Sequence, residues 1–177
     1  MKKVFLSVVM LFMAMSLFAQ DKEPNVRVPS GYQGFLEYGN SWHFDKNMHN
    51  TINLSTTHGF YFNGHIYAGI GLGFDFNKDY TFVPIYANVR YQFNNTKMVS
   101  PIVSMRLGSF VGDEVGAYGD LAFGVRFASK RDFAISMMVT GTYYDKIMEN
   151  YNDGYHHTQE ARQISPSGIS LRIGIEW

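Results

Sequence analysis

The chain has 177 residues, carries 15 acidic and 15 basic side chains, contains no cysteine, and is rich in phenylalanine and tyrosine. The missing cysteine excludes a disulfide framework and an acylated lipoprotein start. The balanced charge excludes the basic surface that a nucleic-acid partner requires.

Lys2 and Lys3 precede an uncharged apolar run from Val4 to Phe18, and Ala19 stands just before Gln20 and the charged Asp21-Lys22-Glu23. That layout predicts a Sec signal peptide over 1–19, cleaved after Ala19, since the run is shorter than the ~20 residues of a spanning helix. Its removal leaves a chain of about 158 residues with a net charge of about −2, enough for one domain. No later stretch is long and apolar enough for a membrane helix. A polar lead over 20–30 comes next.

From there period-2 alternation recurs to the last residue, interrupted by turn residues. It predicts strands over about 32–45, 50–62, 65–76, 81–93, 99–111, 116–128, 132–144 and 167–177. Most connections are brief. Asn63-Gly64 is the sharpest turn signal, because a type I′ turn needs φ > 0 at both central positions. A longer loop over 145–166 precedes the last strand. The first strand has a loose register, with Phe35 inward and Asn40 outward, which a bulge would repair. Pro84 and Pro101 fall near strand starts, where a lost ladder donor is tolerated.

The two faces differ in kind. In the third strand Ile66, Ala68, Ile70, Leu72, Phe74 and Phe76 share one side, against Tyr67, Gly69, Gly71, Gly73 and Asp75. Alternation alone does not choose between a soluble and a membrane barrel. Length helps to decide, since these strands run about 11–14 residues against ~5–6 in soluble sheets and ~9–11 needed to cross a bilayer. The apolar face also carries aromatics near both strand ends: Trp42, Phe44, Phe74, Phe76 and Tyr143 at one rim, Phe60, Phe62, Tyr91, Phe93, Phe127, Phe133 and Trp177 at the other. Two such girdles suit the two membrane–water interfaces. Thr56 and His58 also fall on the outward face of the second strand, with His58 toward the periplasmic side.

The opposite face carries Glu37, Arg90, Arg106, Asp120, Arg126, Arg172 and Glu176. The predicted fold is therefore an all-β, eight-stranded antiparallel up-and-down transmembrane barrel over 31–177. An even strand number with a periplasmic N-terminus puts the long loop outside. So small a barrel has room for side chains and little else. The charges are expected to pair with one another as a plug, with Tyr67, Tyr86, Tyr118 and Tyr144 filling around them and the glycines at 69, 71 and 73 making room.

The opening MKKVFLSVVMLFMAMSLFAQ, the eight alternating strands and the closing ISLRIGIEW resemble small bacterial outer-membrane β-barrels of the OmpA/OmpX-type or porin-like families. The Leu-Phe-Ala-Gln end of the leader is similar to Bacteroidetes-type exported proteins. The resemblance implies outer-membrane lipid as surroundings and roles in envelope integrity, adhesion or limited permeation. It also implies that Ile173, Ile175 and Trp177 act as the aromatic-ended signal read by barrel-assembly machinery.

Candidate chemistry is sparse. A lipid A–modifying enzyme would need a hydroxyl, a histidine base and a carboxylate at the outer rim of the lipid face, and the sequence offers no convincing His-x-Ser arrangement. Tyr155-His156-His157-Thr158-Gln159-Glu160 in the long loop contains metal-ligand types, but adjacent histidines in an extended segment point apart. They read as solvated loop residues, so no metal and no cofactor is expected. Asn94-Asn95-Thr96 and Asn53-Leu54-Ser55 match a glycosylation sequon by chance. The sequence thus favours a structural, envelope-integrity or surface-interaction barrel, with any extracellular ligand met by the loops. The alternatives are a narrow porin-like channel, a lipid A–modifying enzyme, and a soluble lipocalin-like barrel.

Overall fold

The computed structural model of the protein describes residues 31–44, 49–78, 81–94, 96–112, 115–128, 133–145, 147–151, 160–164 and 167–177. The leader over 1–19, the lead over 20–30 and the loop histidines His156 and His157 lie outside these residues. The strands are β1 (Gly31–His43), β2 (Thr51–Phe62), β3 (Ile66–Phe76), β4 (Thr81–Gln92), β5 (Val99–Gly112), β6 (Gly116–Ala128), β7 (Ala134–Tyr144), β8 (Ile147–Tyr151), β9 (Glu160–Ile164) and β10 (Ser167–Glu176). No helix occurs among the described residues.

Eight of these close into one antiparallel barrel in the order β1-β10-β7-β6-β5-β4-β3-β2, and β8 pairs only with β9. The last strand seals against the first from Phe35↔Glu176 to His43↔Gly168. Reciprocal backbone bonds between Gly34 and Trp177, at 2.9 and 3.1 Å, finish the seam. Closure matters because hydrocarbon offers no partner to a free N–H or C=O, so a spanning sheet cannot keep an edge. The barrel strands are 10–14 residues long, enough to cross a bilayer at a tilt.

Three local expectations are corrected. The first strand needs no bulge: its ladder to β2 runs unbroken from Gly31↔Tyr61 to Ser41↔Thr51. Phe35 simply belongs inside, fully buried, while Asn40 sits half-buried on the outer face. His65 is a turn residue and not the start of β3. Asn63 and Gly64 have φ of 54° and 69°, the His65 N–H closes the turn on the Phe62 carbonyl at 3.2 Å, and pairing resumes at Phe62↔Ile66. Finally, the long connection contains the β8–β9 hairpin, paired from Ile147↔Ile164 to Tyr151↔Glu160. The polar, histidine-bearing sequence between them concealed the two short runs.

The two prolines are absorbed differently. Pro84 interrupts the β3–β4 pairing between Leu72↔Ile85 and Asp75↔Phe82. Pro101, at the start of β5, instead accepts a 3.1 Å bond from the Phe93 N–H.

The polarity of the fold is inverted relative to a water-soluble domain. Ile70, Leu107, Leu171, Met137 and Val139 are among the most exposed large side chains, whereas four arginines and four carboxylates are buried. The inward glycines make room for large inward neighbours. A Cβ on Gly71 would stand 2.5 Å from the Tyr86 ring and 2.7 Å from the Thr56 carbonyl, whereas one on the outward Gly141 would meet only the Leu121 carbonyl at 4.0 Å. Gly71→Val should therefore cost about 1–3 kcal/mol by overpacking and lower the urea midpoint of vesicle-folded protein, with Gly141→Ala leaving it unchanged. Equal midpoints for the two variants would contradict this packing.

Candidate functional site: a charged lumen with two aromatic clusters

The inward register of five strands brings seven charged side chains into one line. At the end where β1 begins and β10 finishes, β6 and β10 supply Arg126 and Glu176, whose Nε and Oε2 are 2.5 Å apart. Arg90 of β4 bridges onward, with Nη1 2.9 Å from Glu176 Oε1 and Nη2 2.7 Å from Glu37 Oε1. Glu37 of β1 also pairs through Oε2 with Arg106 of β5. Arg106 Nη1 lies 3.9 Å from Asp120 Oδ2, which accepts a 2.9 Å bond from Arg172 Nη2. The order is Arg126–Glu176–Arg90–Glu37–Arg106–Asp120–Arg172, alternating in sign throughout.

That alternation is what burial demands. Removing an ion from water costs several kcal/mol, and only a close opposite charge with further hydrogen bonds offsets it. The guanidinium is suited to the task because its planar fork can serve two carboxylates at once, as Arg90 does for Glu37 and Glu176. Its face is also used. Arg90 lies over the Phe35 ring at 4.1 Å and Arg106 over the Tyr86 ring at 4.7 Å, contacts worth ~2 kcal/mol when desolvated.

A fourth buried carboxylate, Asp75 of β3, completes the neutral sum. It accepts from Asn53 Nδ2 at 2.7 Å and from the Tyr144 hydroxyl at 2.5 Å, and Ser41 extends the chain by donating to Asn53 Oδ1 at 2.5 Å. The predicted charge set omitted Asp75. Its inward position on the third strand was readable, but a short carboxylate bound by an amide and a phenol leaves no charge pattern in sequence.

Two aromatic clusters share the lumen with these charges, and Phe35 and Tyr67 stand opposite Glu176 and Arg90 in the ladders. Toward the loop end, Phe82, Tyr86, Phe110, Tyr118 and Tyr144 form one buried cluster, with Phe82–Phe110 centroids 5.0 Å apart and Tyr118–Tyr144 centroids 5.5 Å apart. Toward the termini, Phe35, Tyr61 and Tyr67 form another, with Phe35–Tyr67 centroids 4.7 Å apart. Phe82, Phe110 and Tyr61 belonged to no predicted site, although each occupies the inward phase of its strand.

On the outer surface, Trp42, Phe44, Phe74 and Phe76 lie exposed toward the loop end, and Phe93, Phe127, Phe133 and Trp177 toward the termini. Ile173 and Ile175 are exposed on β10. A connected polar group interrupts this apolar surface. Thr56 Oγ1 lies 3.0 Å from His58 Nε2, and His58 Nδ1 lies 2.6 Å from the Tyr32 hydroxyl. Thr56 also donates to the Phe35 carbonyl at 3.1 Å. Sequence reasoning placed Thr56 and His58 outward but did not connect them. Their i, i+2 spacing on the outward face was the signal, while Tyr32 comes from a strand whose register was loose.

No protein-family model matches the chain, and no curated protein matches it in sequence. Solved structures do share its fold. Neisserial surface protein A (NspA) superposes with a TM-score of 0.58 at 12% identity, covering 81% of this chain and 94% of that one. The N-terminal β-barrel domain of Pseudomonas aeruginosa OprF gives 0.52 at 11%, covering 84% and 100%. The outer membrane enzyme PagL gives 0.51 at 14%, covering 80% and 97%. At these identities the likeness is one of architecture, and the neighbours themselves differ in role.

The ion-pair line makes a direct prediction. Arg90→Leu strips one partner from both Glu37 and Glu176 and should cost about 3–5 kcal/mol in urea unfolding from lipid vesicles. Adding Glu176→Gln should recover part of that loss; a single variant as stable as wild type would contradict the pairing.

Proposed function

We propose that this protein is a small outer-membrane barrel with a structural, envelope-integrity or surface-interaction role, its lumen closed to solutes. The observation that carries the reading is the unbroken alternation of Arg126, Glu176, Arg90, Glu37, Arg106, Asp120 and Arg172. A conducting pore needs charges that face water and remain available to ions. Here each arginine is committed to a carboxylate, and the Phe35 and Tyr86 rings stack on two of the guanidinium faces.

In this reading the leader over 1–19 directs Sec export and is cleaved, and the N-terminus remains periplasmic. The exposed Trp42, Phe44, Phe74 and Phe76 then mark the outer interface, and Phe93, Phe127, Phe133 and Trp177 the inner one. Ile173, Ile175 and Trp177 form the outward stripe of β10 read by assembly machinery before the β1–β10 seam closes. An extracellular ligand, if one is bound, meets the loop end.

The protein is proposed to be no enzyme. PagL shares the architecture, so the nearest thing to a catalytic pair here deserves a physical reading. Thr56 has one hydroxyl proton, which is donated to the Phe35 carbonyl and so is withheld from His58. The third member is the phenol of Tyr32, where a hydrolase would place a carboxylate to hold and charge-stabilise its base.

Planar-bilayer recording tests the closed lumen. Purified wild-type protein and Arg106→Ala should both give no unitary current steps; steps whose size changes with Arg106→Ala would establish the porin-like alternative.

A further inference from the structure

The barrel closes where its first strand meets its last. Every other junction joins strands that are consecutive in the barrel, so a connection ties each of them at one end, whereas β1 and β10 are held to each other by noncovalent contacts alone. The inner side of this seam carries a conflict. Phe35 stands opposite Glu176 and Glu37 opposite Gly174, so Glu37 and Glu176 are diagonal neighbours on the inward face of adjoining strands. Both are buried. Like charges so placed push the strands apart, and the low dielectric of the interior strengthens the repulsion.

One side chain resolves it, and it comes from the far wall. β4 adjoins neither β1 nor β10, yet Arg90 reaches the seam with Nη2 2.7 Å from Glu37 Oε1 and Nη1 2.9 Å from Glu176 Oε1. Its guanidinium face rests on Phe35, 4.1 Å from the ring centroid. These three partners all belong to the seam strands. Arg106 also meets Glu37, and Arg126 meets Glu176, but each of these touches one side of the seam, whereas Arg90 holds both. The planar fork makes that possible, because it presents several donors at once. On the outer side the Trp177 indole covers Gly34: a Cβ there would stand 2.7 Å from its Cε2 and 2.8 Å from its Cζ2. The His58 ring of β2 meets the same indole edge to face, with centroids 6.2 Å apart.

We infer that Arg90 is the inner latch of the β1–β10 seam and the Trp177–Gly34 contact its outer one, a conformational device that keeps shut the junction with no turn across it. Without Arg90 the seam parts while the rest of the barrel stays paired. Closure is thereby conditional on β4 being in place, since sealing β1 against β10 earlier would leave the two carboxylates with no common counter-ion. The latch follows from the pairing geometry and holds whether or not the lumen conducts.

Amide exchange, read by NMR on the full mature barrel in phospholipid nanodiscs, reports such local opening. The Gly34–Trp177 and Phe44–Ser167 backbone bonds set the alternation that directs the Leu36, Tyr38, Ile173 and Ile175 amides across the seam. By the same rule the Ala128 bond to Met98 directs the Ser104 and Ala122 amides across β5–β6, the reference junction. Arg90→Leu should speed exchange at the seam relative to the reference by about tenfold or more, and Arg90→Lys, which keeps the charge but loses the fork, by about threefold. Trp177→Ala should do so most at Leu36 and Ile175. Arg172→Leu removes a buried arginine of β10 whose carboxylate partner lies on β6, and should leave the ratio within about twofold of wild type. A disulfide made by Leu36→Cys with Ile175→Cys should return Tyr38 and Ile173 of the Arg90→Leu protein to the wild-type ratio. Heat-dependent gel mobility reports that each variant has folded. An equal rise at both junctions, or none, in the Arg90 variants would overturn the latch, as would a seam equally fast in Arg172→Leu or an acceleration that survives the disulfide. An unchanged ratio in Trp177→Ala would overturn its outer half.

Discussion

An eight-stranded barrel is too narrow to hold bulk water, so whatever polar side chains its strands turn inward must satisfy one another. The rest of this structure depends on that constraint. Hydrocarbon outside requires closure, since every backbone donor and acceptor needs a partner within the sheet. The pleat then sends alternate residues into a confined space, and a sequence with an apolar outer face has polar residues to put there. Four arginines and four carboxylates fit because Arg90 and Arg106 each lie between two carboxylates, Arg126 and Arg172 each meet one, and aromatic rings accept two of the guanidinium faces.

The same constraint explains where the large residues sit. Charges occupy the middle of the lumen, where several strands can reach a common point. Aromatics form one cluster toward the loop end and another beside Arg90 and Glu176. Glycine appears where an inward ring needs the volume, as Gly71 does for Tyr86. On the outside, where nothing needs to pair, Thr56 and His58 are one departure, and their bonds to Phe35 and Tyr32 satisfy them on an otherwise largely apolar surface.

Much of this was legible in the sequence, because a period of two is simple and the solvent outside is uniform. Strand limits fall within a few residues of those read from alternation, and the seven charges chosen for the inward face are the seven that form the line. Register came from phase alone. Which carboxylate meets which arginine did not, because the distance from Glu37 to Arg90 depends on the stagger around the barrel, a property of closure. His65 was misplaced because a turn with two positive φ values still leaves the choice between a two- and a three-residue loop. Asp75, Phe82, Phe110 and Tyr61 went unnoticed since each looks ordinary in its own strand and acquires a role only from residues far away in the chain. Tyr32 reaches His58 across the β1–β2 ladder, invisible until the register of β1 is fixed.

The central claim is that lipid lies against one phase of these strands and a dry, paired lumen against the other. The chain has no native cysteine, so single cysteines at Ser136, Met137, Met138, Val139 and Thr140 can each carry a bimane probe, read in vesicles of doxyl-labelled lipid. The account predicts strong quenching at Met137 and Val139 and little at Ser136, Met138 and Thr140. Quenching that is uniform along β7, or strongest at Ser136 and Thr140, would contradict it.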